Sequence, residues 1–478
     1  MITFLSSIVI LILGYFIYGK FTERMFGMDE NIKTPSVRLE DGVDFIKLPP
    51  AKIFLIQFLN IAGLGPIFGA ISGALWGPAA FLWIVFGCIF AGAVHDYFSG
   101  MLSVRHDGAS IPEVVGKYLG NGFKQFMRGF SVVLLILVGT VFITGPAGLL
   151  ASLTPDKLDK TFWLYIIFIY FILATVLPID KLIGKIYPIF GLCLLVMAIG
   201  VGGGIVFGDF NIPELTIKNL HPDNLPIWPM MFVTIACGAI SGFHATQSPM
   251  MARCIGNEKE GRACFFGAMV AEGIVALVWA AAAMTFFHGT EGLGKALAEQ
   301  GGQAGIVHII STSLLGKVGG VLAILGVIAC PITSGDTAFR SARLTIADFL
   351  NYKQGAIKNR LMLSLPLFVI AYGLTLIDFN IIWRYFAWAN QTLAMVVLWA
   401  SAMYMTLNHK SHWFVSIPAT FMTAVAVTYI LVAPEGFQIA TSIAYPIGIV
   451  IAIASLVLFL TVSKKKLVGS DVEKYSNM

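Results

Sequence analysis

The feature that most constrains this chain is the recurrence of apolar runs about as long as a bilayer is thick. Phe162 to Leu177 is a near-continuous apolar block, ended by Pro178 and Asp180. About 20 apolar residues in a helix cross a hydrocarbon core of about 30 Å. In lipid every backbone N–H and C=O must find a partner within the protein, which leaves only helices and closed barrels. These runs are too long and too uniform for barrel strands, so the sequence predicts an all-α, polytopic membrane protein. Composition agrees: 57% of the 478 residues are hydrophobic and 12% are charged, against about 25% charged in soluble domains.

About thirteen spans are expected by this criterion. They lie near 2–19, 51–74, 78–103, 124–152, 161–178, 184–208, 227–248, 261–287, 316–340, 358–376, 382–406, 411–433 and 438–463. The first run lacks a basic leading segment and a small-residue cleavage site, so it reads as a retained helix rather than a signal peptide. Cytoplasmic loops are enriched in Lys and Arg. With the N-terminus outside, Lys157, Lys160, Lys218, Lys295, Lys317 and Arg384 fall outside, and the rest of the 31 basic residues fall on the cytoplasmic side. Pro178 and the basic residues Lys181, Lys185 and Lys474 belong to this reading. The expected setting is a cell (plasma or inner) membrane, with the C-terminus cytoplasmic. The net charge of +5 therefore reports orientation and does not point to nucleic acid. Cys88, Cys193, Cys237, Cys254, Cys264 and Cys330 show no zinc or redox spacing and read as packing residues. No cofactor is expected, and oligomeric state is not readable.

The informative places are the interruptions. Asn60-Ile-Ala-Gly-Leu-Gly-Pro66 breaks the second span. Gly63 and Gly65 admit unusual dihedrals, and Pro66 suits the first turn of a restarting helix. Gly65, Gly69 and Gly73 then recur every fourth residue, a stripe that lets another helix approach closely. Ser241-Gly-Phe-His-Ala-Thr-Gln-Ser-Pro249 interrupts the seventh span. Its polar side chains Ser241, His244, Thr246, Gln247 and Ser248 are costly in lipid unless they face protein or water. Each interruption also has a bland reading, a proline kink with a packing stripe or a helix leaving the membrane. Paired Gly/Pro-broken spans in the two halves of a chain nevertheless point to a transporter site at the membrane midplane. A third cluster, Cys330-Pro-Ile-Thr-Ser-Gly-Asp-Thr-Ala-Phe-Arg340, offers hydroxyls suited to a hard cation. Asp336 could simply pair with Arg340 one turn later.

Among ionisable residues, Glu272 lies deep in the eighth span and is a candidate proton carrier. Its alternative is a hydrogen-bonded packing residue. His244 could titrate. His95 and Asp96 read as an interfacial polar pair more readily than as a relay. Trp388, Asn390 and Gln391 could line the path or serve packing.

Together, Asn60-Ile-Ala-Gly-Leu-Gly-Pro-Ile-Phe-Gly-Ala, His95-Asp96, Arg105-His-Asp-Gly-Ala-Ser-Ile-Pro-Glu113, the Ser241 motif and Thr333-Ser-Gly-Asp-Thr-Ala-Phe-Arg resemble the carbon starvation protein A family. The resemblance runs over roughly residues 50–350. It implies bacterial inner-membrane uptake of peptides or pyruvate, tied to nutrient limitation. The family is similar to the amino acid–polyamine–organocation superfamily, whose core is two inverted five-helix repeats. By that resemblance the repeats are 51–208 and 227–406, a LeuT-like core with two broken helices. Residues 1–50 add a helix and a loop, and 407–478 add two helices and a basic tail.

Substrate is then expected near Asn60, Gly63, Gly65, Ser241, Gly242, His244, Thr246 and Gln247. In sodium-coupled relatives of this kind a cation sits between the first broken helix and hydroxyls of the eighth core helix. That maps here to Ile61, Leu64, Thr333, Ser334, Thr337 and Asp336, with Glu272 and His244 as the proton alternative. The coupling ion is thus sodium or a proton, and the substrate a small molecule bearing a carboxylate. Rival classes are poorly supplied. The chain has no His-Glu-x-x-His or Gly-x-Ser-x-Gly run for an enzyme. It has no phosphate-binding Gly-rich loop for an ATP-driven pump. A channel or a nutrient sensor remains the alternative.

Overall fold

The computed structural model describes residues 1–476 apart from 43, 177–178, 209, 351 and 355. Pro178 lies outside the described residues, as do the side chains of Lys181, Lys185 and Lys474. The architecture is entirely helical among the described residues. All thirteen expected spans coincide with helical segments. They are α1 (Ile2–Phe26), α2a and α2b (Pro50–Ile61 and Gly65–Trp76), α3 (Ala79–Arg105), α4 (Asn121–Leu153), α5 (Lys160–Val176), α6 (Ile179–Phe207), α7a and α7b (227–234 and Gly242–Ala252), α8 (Glu258–Phe286), α9 (Gly302–Leu350), α10 (Ile357–Thr375), α11 (Phe379–Leu407), α12 (Trp413–Val432) and α13 (Thr441–Leu467). By length and apolarity alone the number of crossing helices is smaller. Eight of the described helices qualify, or nine if α2a and α2b form one bent span. The remaining four expected spans fall on α5, the α7 pair, α9 and α11.

The first interruption is where the residues place it. Pro50 opens α2a, Pro66 opens α2b, and the two halves meet at 55° across residues 62–64. The second interruption lies earlier than the sequence suggests. The unwound stretch is 235–241, and the Ser241 motif is already helical from Gly242 to Ala252, with Pro249 inside the helix. Within this stretch Gly238 lies close against α8, where a side chain would stand 2.4 Å from the Cβ of Ala276.

The two breaks pack together through the glycine stripe. A Cβ at position 65 would lie 2.2 Å from Cys237 Cβ, and one at 73 would lie 2.1 Å from Ile235 Cγ1. At Gly69 the neighbour is the Thr234 carbonyl oxygen, at 3.0 Å. The second break therefore lies in the groove that small residues leave on the first.

Helix ends grouped together by the charge tally also meet in space. Arg105, closing α3, holds the fully buried Glu258 at the start of α8 with two hydrogen bonds of 2.7 and 2.8 Å. The same guanidinium donates to the Gly27 carbonyl just past α1 and to the Tyr404 hydroxyl on α11. The Asp29 amide donates to Glu258 as well, and Lys410 donates to the Phe26 carbonyl. This basic end is thereby closed by a network from four helices. Removing one partner of a buried ion pair strands the other, at a cost of about 3–5 kcal/mol. Arg105→Ala is accordingly expected to lower the unfolding temperature in detergent clearly, and Arg105→Lys by less. Equal melting of all three proteins would remove the network from the account of the fold.

Candidate functional site

The helix α11 clamps both halves of the second break. Asn390 Oδ1 accepts from the Ser241 hydroxyl at 3.1 Å and from the Phe243 amide at 2.8 Å. It thus caps the N-terminus of α7b, where helices leave amides without partners. One residue on, the Gln391 side chain donates to the Phe232 carbonyl of α7a. Gly242 lets α11 come this close, since a Cβ there would meet the Asn390 carbonyl oxygen at 2.4 Å. Trp388 turns away and donates to Ala426 of α12. A buried amide left without its acceptor costs about 1–3 kcal/mol. Asn390→Ala is therefore expected to lower the unfolding temperature in detergent by loosening the break, with Asn390→Asp, which keeps the acceptor, closer to wild type.

Just past this cap the chain reaches its charged centre. His244 of α7b is fully buried between two carboxylates that are themselves fully buried. Its Nδ1 lies 2.8 Å from Asp96 Oδ2 of α3, and its Nε2 lies 3.3 Å from Glu272 Oε2 of α8. The other oxygen of Asp96 is 2.7 Å from His95 Nδ1. His95 and Asp96 are therefore no interfacial pair. The third span continues beyond them to Arg105, which places them inside the packed bundle. Two carboxylates and one imidazole thus share one buried site, where uncompensated charge is expensive. Neither Glu272 oxygen makes a geometrically good hydrogen bond, and neither does His244 Nε2.

Cys237 stands beside this group. Its thiol, a His244 nitrogen and a Glu272 oxygen all lie within 4.8 Å of one another. It is the grouping among the described residues with metal-ligand spacing, although Asp96 and Glu272 already face both nitrogens of His244.

On the other side of the breaks a cavity of about 610 Å³ opens at the end opposite Arg105. Phe68 and Ser72 of α2b line it, with Thr144 and Gly145 of α4 and Trp383 of α11. Thr234, the last residue before the second break, also faces it. Two cationic side chains, Lys160 and Arg384, stand in its wall beside His221 and Asp223. Arg384 is held by Glu435 at 2.9 Å.

The remaining sequence candidates divide. Asn60 is buried at the end of α2a and neither atom of its amide has a partner. Gly63 faces the Phe142 ring, which a Cβ would meet at 2.5 Å. Thr246 turns back onto the Phe243 carbonyl and receives the Gln247 amide. In the third cluster the Ser334 hydroxyl donates to the Leu59 carbonyl at 3.2 Å, and the Cys330 thiol reaches the carbonyls of Leu59 and Ala62. The carbonyls facing α9 are thus those of Leu59 and Ala62. Ile61 and Leu64 direct theirs into the turn itself, to the amides of Gly63 and of Ile67 and Phe68. The hydroxyls of Thr333 and Thr337 bond to carbonyls of their own helix. Asp336 pairs with Arg340 at 3.5 Å, away from the break.

Sequence reasoning passed over the central place of Asp96, the proximity of Cys237 and the capping by Asn390. His244 and Asp96 stand 148 residues apart in the chain, and no local spacing announces such a contact. A polar residue in each of three apolar spans was the available signal.

Comparison with known proteins follows this geometry. The architecture is similar to that of a solved mutant of the Eremococcus coleocola manganese transporter, with a TM-score of 0.50 at 13% identity, covering 88% of this chain and 97% of that one. An uncharacterized membrane protein of Haemophilus influenzae is 45% identical over 349 residues, which is 62% of this chain and 94% of the relative. The peptide transporter CstA of Escherichia coli is 26% identical, covering 57% of this chain and 48% of its own length. The pyruvate/proton symporter BtsT of Escherichia coli is 24% identical, covering 57% and 47%. The chain thus matches about half the length of these named transporters. The family model for carbon starvation protein CstA matches residues 1–156 and 150–299, which contain both breaks and the Asp96, His244 and Glu272 cluster. On that match the chain belongs to the carbon starvation protein CstA family.

Proposed function

We propose that this chain is a proton-coupled secondary transporter that imports a small carboxylate-bearing nutrient, a short peptide or pyruvate, by alternating access. The observation that carries the reading is the imidazole of His244 between two buried carboxylates, directly beside two broken helices packed face to face. Two relatives supply the substrate classes by name, a peptide transporter and a pyruvate/proton symporter.

In this reading residues 51–208 and 227–406 are two inverted repeats of a LeuT-like core. The basic end is cytoplasmic, with the N-terminus outside and the C-terminus inside. The cavity of about 610 Å³ is then an outward-facing vestibule. Lys160 and Arg384 draw an anionic solute into it, towards Gly65 at the positive end of α2b. Asn390 takes the Phe243 amide in the first turn of α7b. Opening on the other side requires the network at Arg105 and Glu258 to part.

A sodium reading has one observation in its favour, the Ser334 hydroxyl facing the Leu59 carbonyl near that of Ala62. The Cys330 thiol occupies the same spot. A soft sulfur ligand suits sodium poorly, and Thr333 is turned onto its own helix. We therefore place the coupling on the proton.

Purified protein in proteoliposomes tests this. Labelled pyruvate and labelled di- and tripeptides are offered with an acid-outside pH gradient, with a sodium gradient, and with neither. Saturable accumulation driven by pH alone is expected for one of the two classes. Accumulation that needs sodium would overturn the coupling. Flux that never saturates would mark a channel.

A further inference from the structure

The geometry points to a binding site for an anionic phospholipid, in a crevice between α13 and the α11–α12 pair at the basic end. The crevice holds about 320 Å³ and is lined by Phe123, Met395, Trp399, Leu458 and Phe459 among others. Its lining is almost wholly apolar. The indole N–H of Trp399 is satisfied internally by Thr423 Oγ1 at 3.1 Å. Leu458 on its rim is 64% exposed, and the most apolar stretch of α13 is only 22% buried within the protein. The crevice therefore opens sideways, where the surroundings of a membrane helix are acyl chains.

Charge selects the occupant. Lys464, Lys465 and Lys466 lie in the last turns of α13, all exposed. Lys466 lines the crevice and donates to the Tyr118 carbonyl at 2.8 Å. Lys117 is exposed one residue away from that contact. An apolar slot with lysines at its polar mouth matches one acyl chain beneath a phosphate headgroup. A free phosphate would leave the slot empty, and a neutral lipid would leave the lysines without a counter-charge.

The site also touches the closure at the basic end. Tyr118 forms part of the crevice wall. Its hydroxyl lies 3.0 Å from His106 Nε2, and its ring meets Tyr404 edge-on with centroids 5.6 Å apart. Tyr404 in turn bonds to Arg105, the residue that holds Glu258. A bound lipid thus props the wall behind the closing network. The leaflet follows from the orientation proposed above, and the binding itself does not depend on transport.

The full chain in detergent is mixed with equal amounts of phosphatidylglycerol and phosphatidylcholine of the same acyl chains, and native mass spectrometry reads which stays bound. Wild type is expected to keep phosphatidylglycerol preferentially and to melt at a higher temperature with it. Lys466→Gln is expected to weaken that retention by about fivefold. Ser455→Phe, which fills the slot, is expected to lose the bound lipid and its thermal effect while still melting cooperatively. No preference between the two lipids in wild type would overturn the proposal. Unchanged retention in the filled variant would overturn it too, because the lysines would then act as a surface charge alone.

Discussion

Vesicles carrying Glu272→Gln are expected to exchange labelled substrate for unlabelled substrate, yet to fail to accumulate it against a gradient. Glutamine keeps the shape of glutamate and one of its acceptors but cannot carry a proton. The Asp96, His244 and Glu272 group would then keep one carboxylate beside the imidazole and lose the acid that could carry the proton. A carrier that reorients whether or not a proton is aboard equilibrates its solute. For one proton per solute, each unit of pH gradient supports about tenfold accumulation, and the variant should show none of it. Counterflow with equal pH on both sides should survive, because it needs only the broken helices and the vestibule. A Gln variant that still concentrates substrate under an acid-outside gradient would move the coupling elsewhere. Loss of counterflow as well, in a protein that still melts normally, would make Glu272 structural.

Gly65→Val is expected to abolish uptake without preventing membrane insertion. The position faces Cys237, whose Cβ and Sγ would lie 2.2 and 2.3 Å from any added Cβ. Nothing flexible can give way there, because both residues sit in or beside the breaks and the backbone of each is held by close packing. The two interruptions would be forced apart at the point where solute and His244 are brought near. The same geometry predicts a rescue. With Cys237→Gly the nearest remaining neighbour is the Cα of residue 237, at 3.7 Å, an ordinary contact. Gly65→Ala should therefore fail alone and recover most of its transport when combined with Cys237→Gly. Surface abundance measured in parallel separates a transport defect from a folding defect. Wild-type uptake by Gly65→Val, or no rescue in the double variant, would detach the glycine stripe from function.

The two interruptions were not equally legible. The first is written in local chemistry. Gly63, Gly65 and Pro66 restrict or free the backbone where they stand, and the helix stops and restarts accordingly. The second was found through its polar residues and so was placed several residues too late. In the structure residues 234–237 cross the glycine stripe of α2b, and Gly238 lies against Ala276 of α8. An apolar sequence such as Ile235-Ala-Cys-Gly gives no local reason to unwind. His95 and Asp96 were misjudged for a related reason. Their distance from the end of a span depends on where that span ends, and Arg105 is held by Glu258 rather than standing free at an interface.

The candidate cation site shows the same limit. Thr333 and Ser334 are adjacent hydroxyls and look equivalent as letters. On a helix, neighbours face about 100° apart, so only Ser334 reaches the Leu59 carbonyl while Thr333 bonds back to Ala329 and Cys330. Which carbonyls meet α9 was likewise a matter of how the broken strand of chain turns, since Ile61 and Leu64 close its own hydrogen bonds.

By itself, the sequence determined that this is a helical membrane protein, where its apolar helices lie, which ends are basic and where α2 breaks. Those properties follow from solvation and backbone chemistry, which act residue by residue. Only the tertiary structure decided that Asp96, His244 and Glu272 form one group, that Cys237 fills the space above Gly65, and that Asn390 caps α7b. Each of these joins residues on different helices. Within a bilayer, apolar surface does not choose between apolar neighbours, so close packing and the few buried polar contacts decide which helices meet.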